Sequence, residues 1–150
     1  MARQKVATCF WYDDKAQQAA EFYVSLLPDS RIDNLVHGPD GKVLMVEFTL
    51  AGTPYQALNG GPHFTLSEAA SISVLTEDQA ETDRLWEALT KDGGAESQCG
   101  WLKDRFGLSW QIVPRRATQL LAGPDATKVF PALMEMRKID LAALEAAAAA

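Results

Sequence analysis

Two glutamines sit in the middle of otherwise apolar, strand-like stretches: Gln56 in TPYQALN and Gln111 in SWQIVP. A primary amide carries donors and an acceptor without charge, so in apolar surroundings it must pair with backbone or hold a polar ligand. Thr8 in ATCFWY and Ser71 in SISVL place hydroxyls in two further strand-like stretches. Neutral amides and hydroxyls bind through hydrogen bonds and are weak ligands for divalent transition metals, which prefer imidazole, thiolate or carboxylate. Tyr55 and Trp110 adjoin the glutamines, and Phe10, Trp11, Trp86 and Trp101 are further aromatics that could wall a cleft. Aromatics around a few amides make a small-molecule pocket, and aromatics on strands equally make plain core.

The remaining reactive side chains carry less signal. His37 and His63 fall in loop-like stretches without a carboxylate at matched spacing, which reads as solvated loop histidine. His63 would serve as an acid–base group only if its loop folded over the site. Cys9 and Cys99 fit neither a zinc spacing nor a disulfide framework and read as buried thiols. The NGGP stretch at 59–62 lacks the spacing and following helix of a phosphate loop, so it is a tight turn. Glu47 reads as an outward charge or a base, and Lys103-Asp104-Arg105 as a turn. No cofactor is expected.

The elements that must position these residues repeat. Residues 8–27 align with 71–90 at an offset of 63, each an apolar strand followed by a helix with apolar residues three and four apart. The first helix carries Ala16, Ala19, Ala20, Tyr23 and Leu27; the second carries Thr82, Leu85, Trp86 and Leu89. Asp14 with Gln17, and Thr76 with Gln79, have the capping-box spacing. Pro28 ends the first helix and Gly93-Gly94 the second. At an offset of 55, KVLMVEFTLAGTPYQALN lies over SQCGWLKDRFGLSWQIVP, bringing Gly52 onto Gly107, Tyr55 onto Trp110 and Gln56 onto Gln111. Each of these segments is a hairpin. A further strand over 31–38 and a turn at Pro39-Asp40-Gly41 complete the first copy. On this alignment Thr8 corresponds to Ser71 and Gln56 to Gln111, four positions that would converge if the two apolar sheet faces enclosed a cleft.

The expected organisation is a single domain, 1–150, of α+β class: module 1 over about 5–62, module 2 over about 68–115, and a helical extension over 116–150. In that extension ATQLL is a short helix, Pro131 must kink or restart the next, and Asp140 can cap the last. A chain of 150 residues with net charge −6 can bury a real core and lacks the clustered basic surface of a nucleic-acid binder. No apolar run is long enough for a membrane, and MARQKVATCF has no secretory apolar region. A reducing, cytoplasmic setting is the expectation.

The stretches FWYDDKAQQAAEFY, VEFTLAGTPYQALNGGP, CGWLKDRFGLSWQIVP and ALMEMRKIDLAALEAA resemble the PhnB-like subgroup of the vicinal-oxygen-chelate (glyoxalase/bleomycin-resistance/dioxygenase) superfamily. Members of that subgroup often carry the label 3-demethylubiquinone-9 3-methyltransferase. The resemblance implies two βαβββ modules whose sheets curl around a ligand cleft. It also implies a homodimer, and metal ligands in the metal-dependent members at positions matching Thr8, Gln56, Ser71 and Gln111. The sequence departs from that ligand pattern at all four, with no His and no carboxylate. The resulting expectation is a small molecule, aromatic ones included, bound between modules without a tight metal. The alternatives are a metal-assisted lyase, isomerase or dioxygenase of the same fold, and the labelled methyltransferase. Against the last, the chain has no Gly-rich strand–loop–helix for an adenosyl cofactor.

Overall fold

The computed structural model describes residues 4–150, whose contacts separate a unit ending at Leu66 from a second, Ser67–Ala150. In the first unit β1 (Thr8–Tyr12), α1 (Ala16–Val24), β2 (Arg31–His37), β3 (Val43–Leu50) and β4 (Thr53–Asn59) form a four-stranded sheet of order β1-β4-β3-β2 with one helix. The second repeats it with β5 (Ser71–Thr76), α2 (Gln79–Thr90), β6 (Ala95–Glu96), β7 (Trp101–Lys103) and β8 (Ser109–Pro114), order β5-β8-β7-β6. In each sheet the first strand runs parallel to the last and the others pair antiparallel. The twofold βαβββ pattern and its helical extension, α3 (Arg115–Ala122), α4 (Ala126–Met134) and α5 (Leu141–Ala149), are those expected from the sequence.

Periodicity explains which faces are buried. α1 buries Ala16, Ala19, Ala20 and Tyr23, and α2 buries Thr82, Leu85, Trp86 and Leu89, the same one-sided i, i+3, i+4, i+7 stripe displaced by 66 residues. In the first unit that stripe meets Phe48, which stacks on Tyr55, and Tyr55 on Phe10. The hydroxyls of Tyr12 and Tyr23 close the same layer at 3.0 Å. In the second unit Thr76 and Thr82 pair their hydroxyls at 2.6 Å beside buried Val74, Ile112 and Leu102. The hairpin turns contain Gly52 and Gly107 at φ +82° and +91°, a left-handed backbone that side chains disfavour, which is why the repeat keeps glycine there.

Both capping boxes read from the sequence are replaced. The free amide at the start of α1 is satisfied from β4, where Asn59 Oδ1 accepts from Ala16 N at 2.8 Å, and Asp14 does not cap it. α2 is capped by Asp78, whose Oδ1 accepts from Glu81 N at 2.9 Å, so Thr76 ends a strand and Gln79 opens the helix. Gln79 instead reaches the C-terminal segment, donating to Ile139 O at 3.0 Å and accepting from Leu141 N at 2.8 Å. Asp140 caps α5 through Ala143 N, as expected. Pro131 lies inside α4 without ending it. The extension has its own core of Ala117, Leu120, Val129, Leu133, Ile139 and Leu144, with Cys99, Val113 and Met136 packed against it.

Candidate functional site

Register settles which side chains share a sheet face, because partners across a ladder point the same way and neighbours along a strand point oppositely. In the second sheet Ile72, Val74, Trp110, Ile112 and Leu102 face α2. The face opposite α2 is covered by the α3–α5 core at Val113, and its helix-free part carries two cross-strand rows. Ser71, Ser109 and Lys103 make one, and Ser73, Gln111 and Trp101 make the next. Gln111 Nε2 donates to Ser71 Oγ at 3.0 Å, joining the rows. Ser109 is 1% exposed and its Oγ has no hydrogen-bond partner among the described residues. Lys103 Nζ lies 2.6 Å from Glu68 Oε1, and that hydrogen bond holds the Glu68 carboxyl below the usual range. A cavity of about 200 Å³ is lined by Trp101, Lys103, Ser109, Glu68 and Glu96.

In the first sheet Thr8 and Tyr55 are register partners on the helix face, the face of the Phe10–Tyr55–Phe48 stack. Gln56 points the other way, in a row running Cys9, Gln56, Glu47 and Asn34 across all four strands. Among the described residues the Gln56 side chain has no hydrogen-bond partner, and its amide is half-buried beside the Glu47 carboxylate. Thus Ser71 and Gln111 are brought together, whereas Thr8 and Tyr55 are separated from Gln56 by the thickness of the sheet. Trp110 is buried on the helix side, away from Gln111. The physical reason is strand parity. Buried Phe10 and Tyr12 match buried Val74 and Thr76 at a spacing of 64, so the alignment at 63 turned every side chain of the first strand to the wrong face.

Sequence reading missed Ser109, Lys103 and Trp101 as neighbours of Gln111. The signal available was period two: Trp101 and Lys103 alternate with apolar Leu102. Cys9 is exposed on the edge strand β1 rather than buried, and Cys99 is half-buried in a turn at φ +59° rather than in a strand. Burial around the Cys9 thiol raises its pKa, which keeps it protonated at neutral pH. His37 and His63 are exposed, as expected of loop and strand-end residues. Trp11, on the helix-free face of β1, donates to Gly61 O at 2.9 Å and meets Phe64 edge-on, so the NGGP stretch acts as a turn that seats an indole.

Among the described residues no three His, Cys, Asp or Glu side chains are grouped to hold an ion. The donors at Gln56, Ser71 and Gln111 are amides and a hydroxyl, a set that does not fit a transition metal. An open groove of about 770 Å³ near the start of α1, lined by Asp13, Asp14, Asp40 and Lys42, is larger than the second-sheet cavity. Among the described residues no buried unpartnered polar group lines it.

Two βαβββ units of this topology define a fold of glyoxalase/bleomycin-resistance type. The family model described as 3-demethylubiquinone-9 3-methyltransferase matches residues 4–113, and the chain belongs to that PhnB-type family. The match ends before the helical extension. The PhnB protein from Bacillus cereus is 29% identical over 74% of this chain and 99% of its own, with a TM-score of 0.68. Protein PA1353 from Pseudomonas aeruginosa is 18% identical over 75% of this chain and 98% of its own, at 0.62. The fosfomycin resistance protein FosX from Mesorhizobium loti is 15% identical over 82% of this chain and all of its own, at 0.57, a likeness of fold alone. No curated protein matches the sequence.

Proposed function

We propose that the protein binds a small organic molecule on the helix-free face of its second sheet, without a transition metal. The observation that carries this reading is the Gln111–Ser71 hydrogen bond beside the unpartnered, buried hydroxyl of Ser109. A buried hydroxyl without a partner costs about 1–3 kcal/mol, a cost that a bound ligand's polar group can recover. The methyltransferase activity is a family name. The glyoxalase-type reactions remain a lesser reading, supported only by Glu47 beside Gln56 in the first unit.

The same reading has the protein working in the cytoplasm as a homodimer. Exposed Phe130 and Met134, one turn apart on α4, support a subunit contact, and two unpaired cysteines suit a reducing compartment. Light scattering on purified protein tests the dimer.

The binding proposal is tested by screening a small-molecule library by ligand-observed NMR against the native protein and the Gln111→Leu variant. Hits that bind the native protein and lose affinity in the variant, with its thermal transition unchanged, support the proposal. Hits that bind both proteins equally overturn it.

A further inference from the structure

The second-sheet cavity also states the chemical class of its ligand, an inference that rests on the binding reading above. Lys103 and Ser109 are direct cross-strand partners on the helix-free face, so an ammonium-bearing side chain and a buried hydroxyl line the same cavity. An ammonium offers three N–H donors and no acceptor. Lys103 gives one of them to Glu68, a side chain that is 66% exposed. Trp101, two residues along β7 on the same face, supplies an indole to the cavity wall. The volume of about 200 Å³ lies below the ~300–1,000 Å³ of drug-sized pockets and accommodates one small ring.

We infer that this cavity is a carboxylate subsite for a small planar acid, with the ligand's carboxylate held by Lys103 Nζ and Ser109 Oγ and its ring against Trp101. Glu68 pairs with the same ammonium and would compete with the ligand for it. Lys103 and Ser109 are binding groups, and Glu68 is a competitor that the ligand displaces.

The competition gives mutants of opposite sign. Benzoate serves as the probe and benzamide as its uncharged counterpart, each titrated into the native protein and followed by amide chemical shifts. Benzoate binds more tightly than benzamide, because a charge-assisted hydrogen bond is about twice as strong as a neutral one. Lys103→Met weakens benzoate by about tenfold, a loss of the size of one charged hydrogen bond. Glu68→Gln strengthens benzoate, because it frees the ammonium. Ser109→Ala weakens benzoate, yet leaves the melting temperature unchanged or higher, since it deletes a hydroxyl that has no partner among the described residues. A purely structural Ser109 would instead lower the melting temperature without changing affinity. Benzamide binding as well as benzoate, with Lys103→Met neutral, overturns the carboxylate assignment and leaves the small-molecule reading standing. No shift at Trp101, Lys103 or Ser109 with either probe also overturns it, while the library screen decides the broader reading separately.

Discussion

Gln111 and Ser71 touch across the parallel pair of β8 and β5, Nε2 to Oγ at 3.0 Å, on the face of the sheet that α2 leaves open. The residue next to Gln111 along the strand, Trp110, is buried on the opposite face and has a structural task. This division of labour between neighbours is the basis for separating effects on binding from effects on folding.

Replacing Gln111 by Leu should therefore spare the fold. Ser71 is half-buried, and water can take the place of the lost donor, so the cost in chemical denaturation is under about 1.5 kcal/mol. A loss of several kcal/mol would mean that Gln111 is a core residue whose amide serves packing.

Asp104→Ala should do the opposite. The Asp104 carboxylate is 2% exposed and accepts from Trp110 Nε1 at 2.9 Å, Phe106 N at 2.8 Å and Leu108 N at 3.1 Å. Removing it orphans donors in the β7–β8 turn and is expected to cost about 3 kcal/mol in urea unfolding. A cost below about 1 kcal/mol would show that the turn holds without its carboxylate.

Gly94→Ala tests the close approach between α2 and β7. A Cβ there would lie 2.5 Å from Leu89 O, 2.8 Å from Thr90 Cα and 2.9 Å from Lys103 O, all backbone atoms that cannot swing aside. The variant should lose about 2 kcal/mol or more, measurable as a lower thermal midpoint. A wild-type midpoint would mean that the helix end relaxes freely.

Much of this architecture was legible from residue patterns. The two apolar helix stripes, the Gly52 and Gly107 turns, the strand over Arg31–His37 and the Asp140 cap follow from local rules that tertiary contacts do not override. What was not legible came from distance or from parity. Asn59 caps α1 from forty-three residues away, which no local capping box can reveal. The partnering of Thr8 with Ser71 failed because one residue of alignment error inverts a strand, and sequence similarity between short apolar strands does not fix that residue. Ser109 reads as an ordinary strand serine, and only the fold shows that its hydroxyl is buried without a partner.

Acid should loosen the C-terminal extension before the sheets. The side-chain hydrogen bond from Arg116 holds Glu145 below its ordinary pKa, and that pair ties α5 to α3. Gln79 first, then Lys138, hold Asp83 low on α2. A depressed carboxyl contributes stability above its unfolded pKa and loses it as pH falls through the folded value. Hydrogen exchange at α5 amides should therefore accelerate as pH drops below the ordinary carboxylate range, after correction for intrinsic rates. Uniform loss of protection across α5 and β8 would contradict this order.

The central claim, that the helix-free face of the second sheet binds a small molecule, is tested most directly by mapping amide chemical shifts on addition of a confirmed ligand. The account predicts that the largest shifts fall on Ser71, Trp101, Ser109 and Gln111. Shifts confined to α3–α5 or to the unit ending at Leu66 would contradict it.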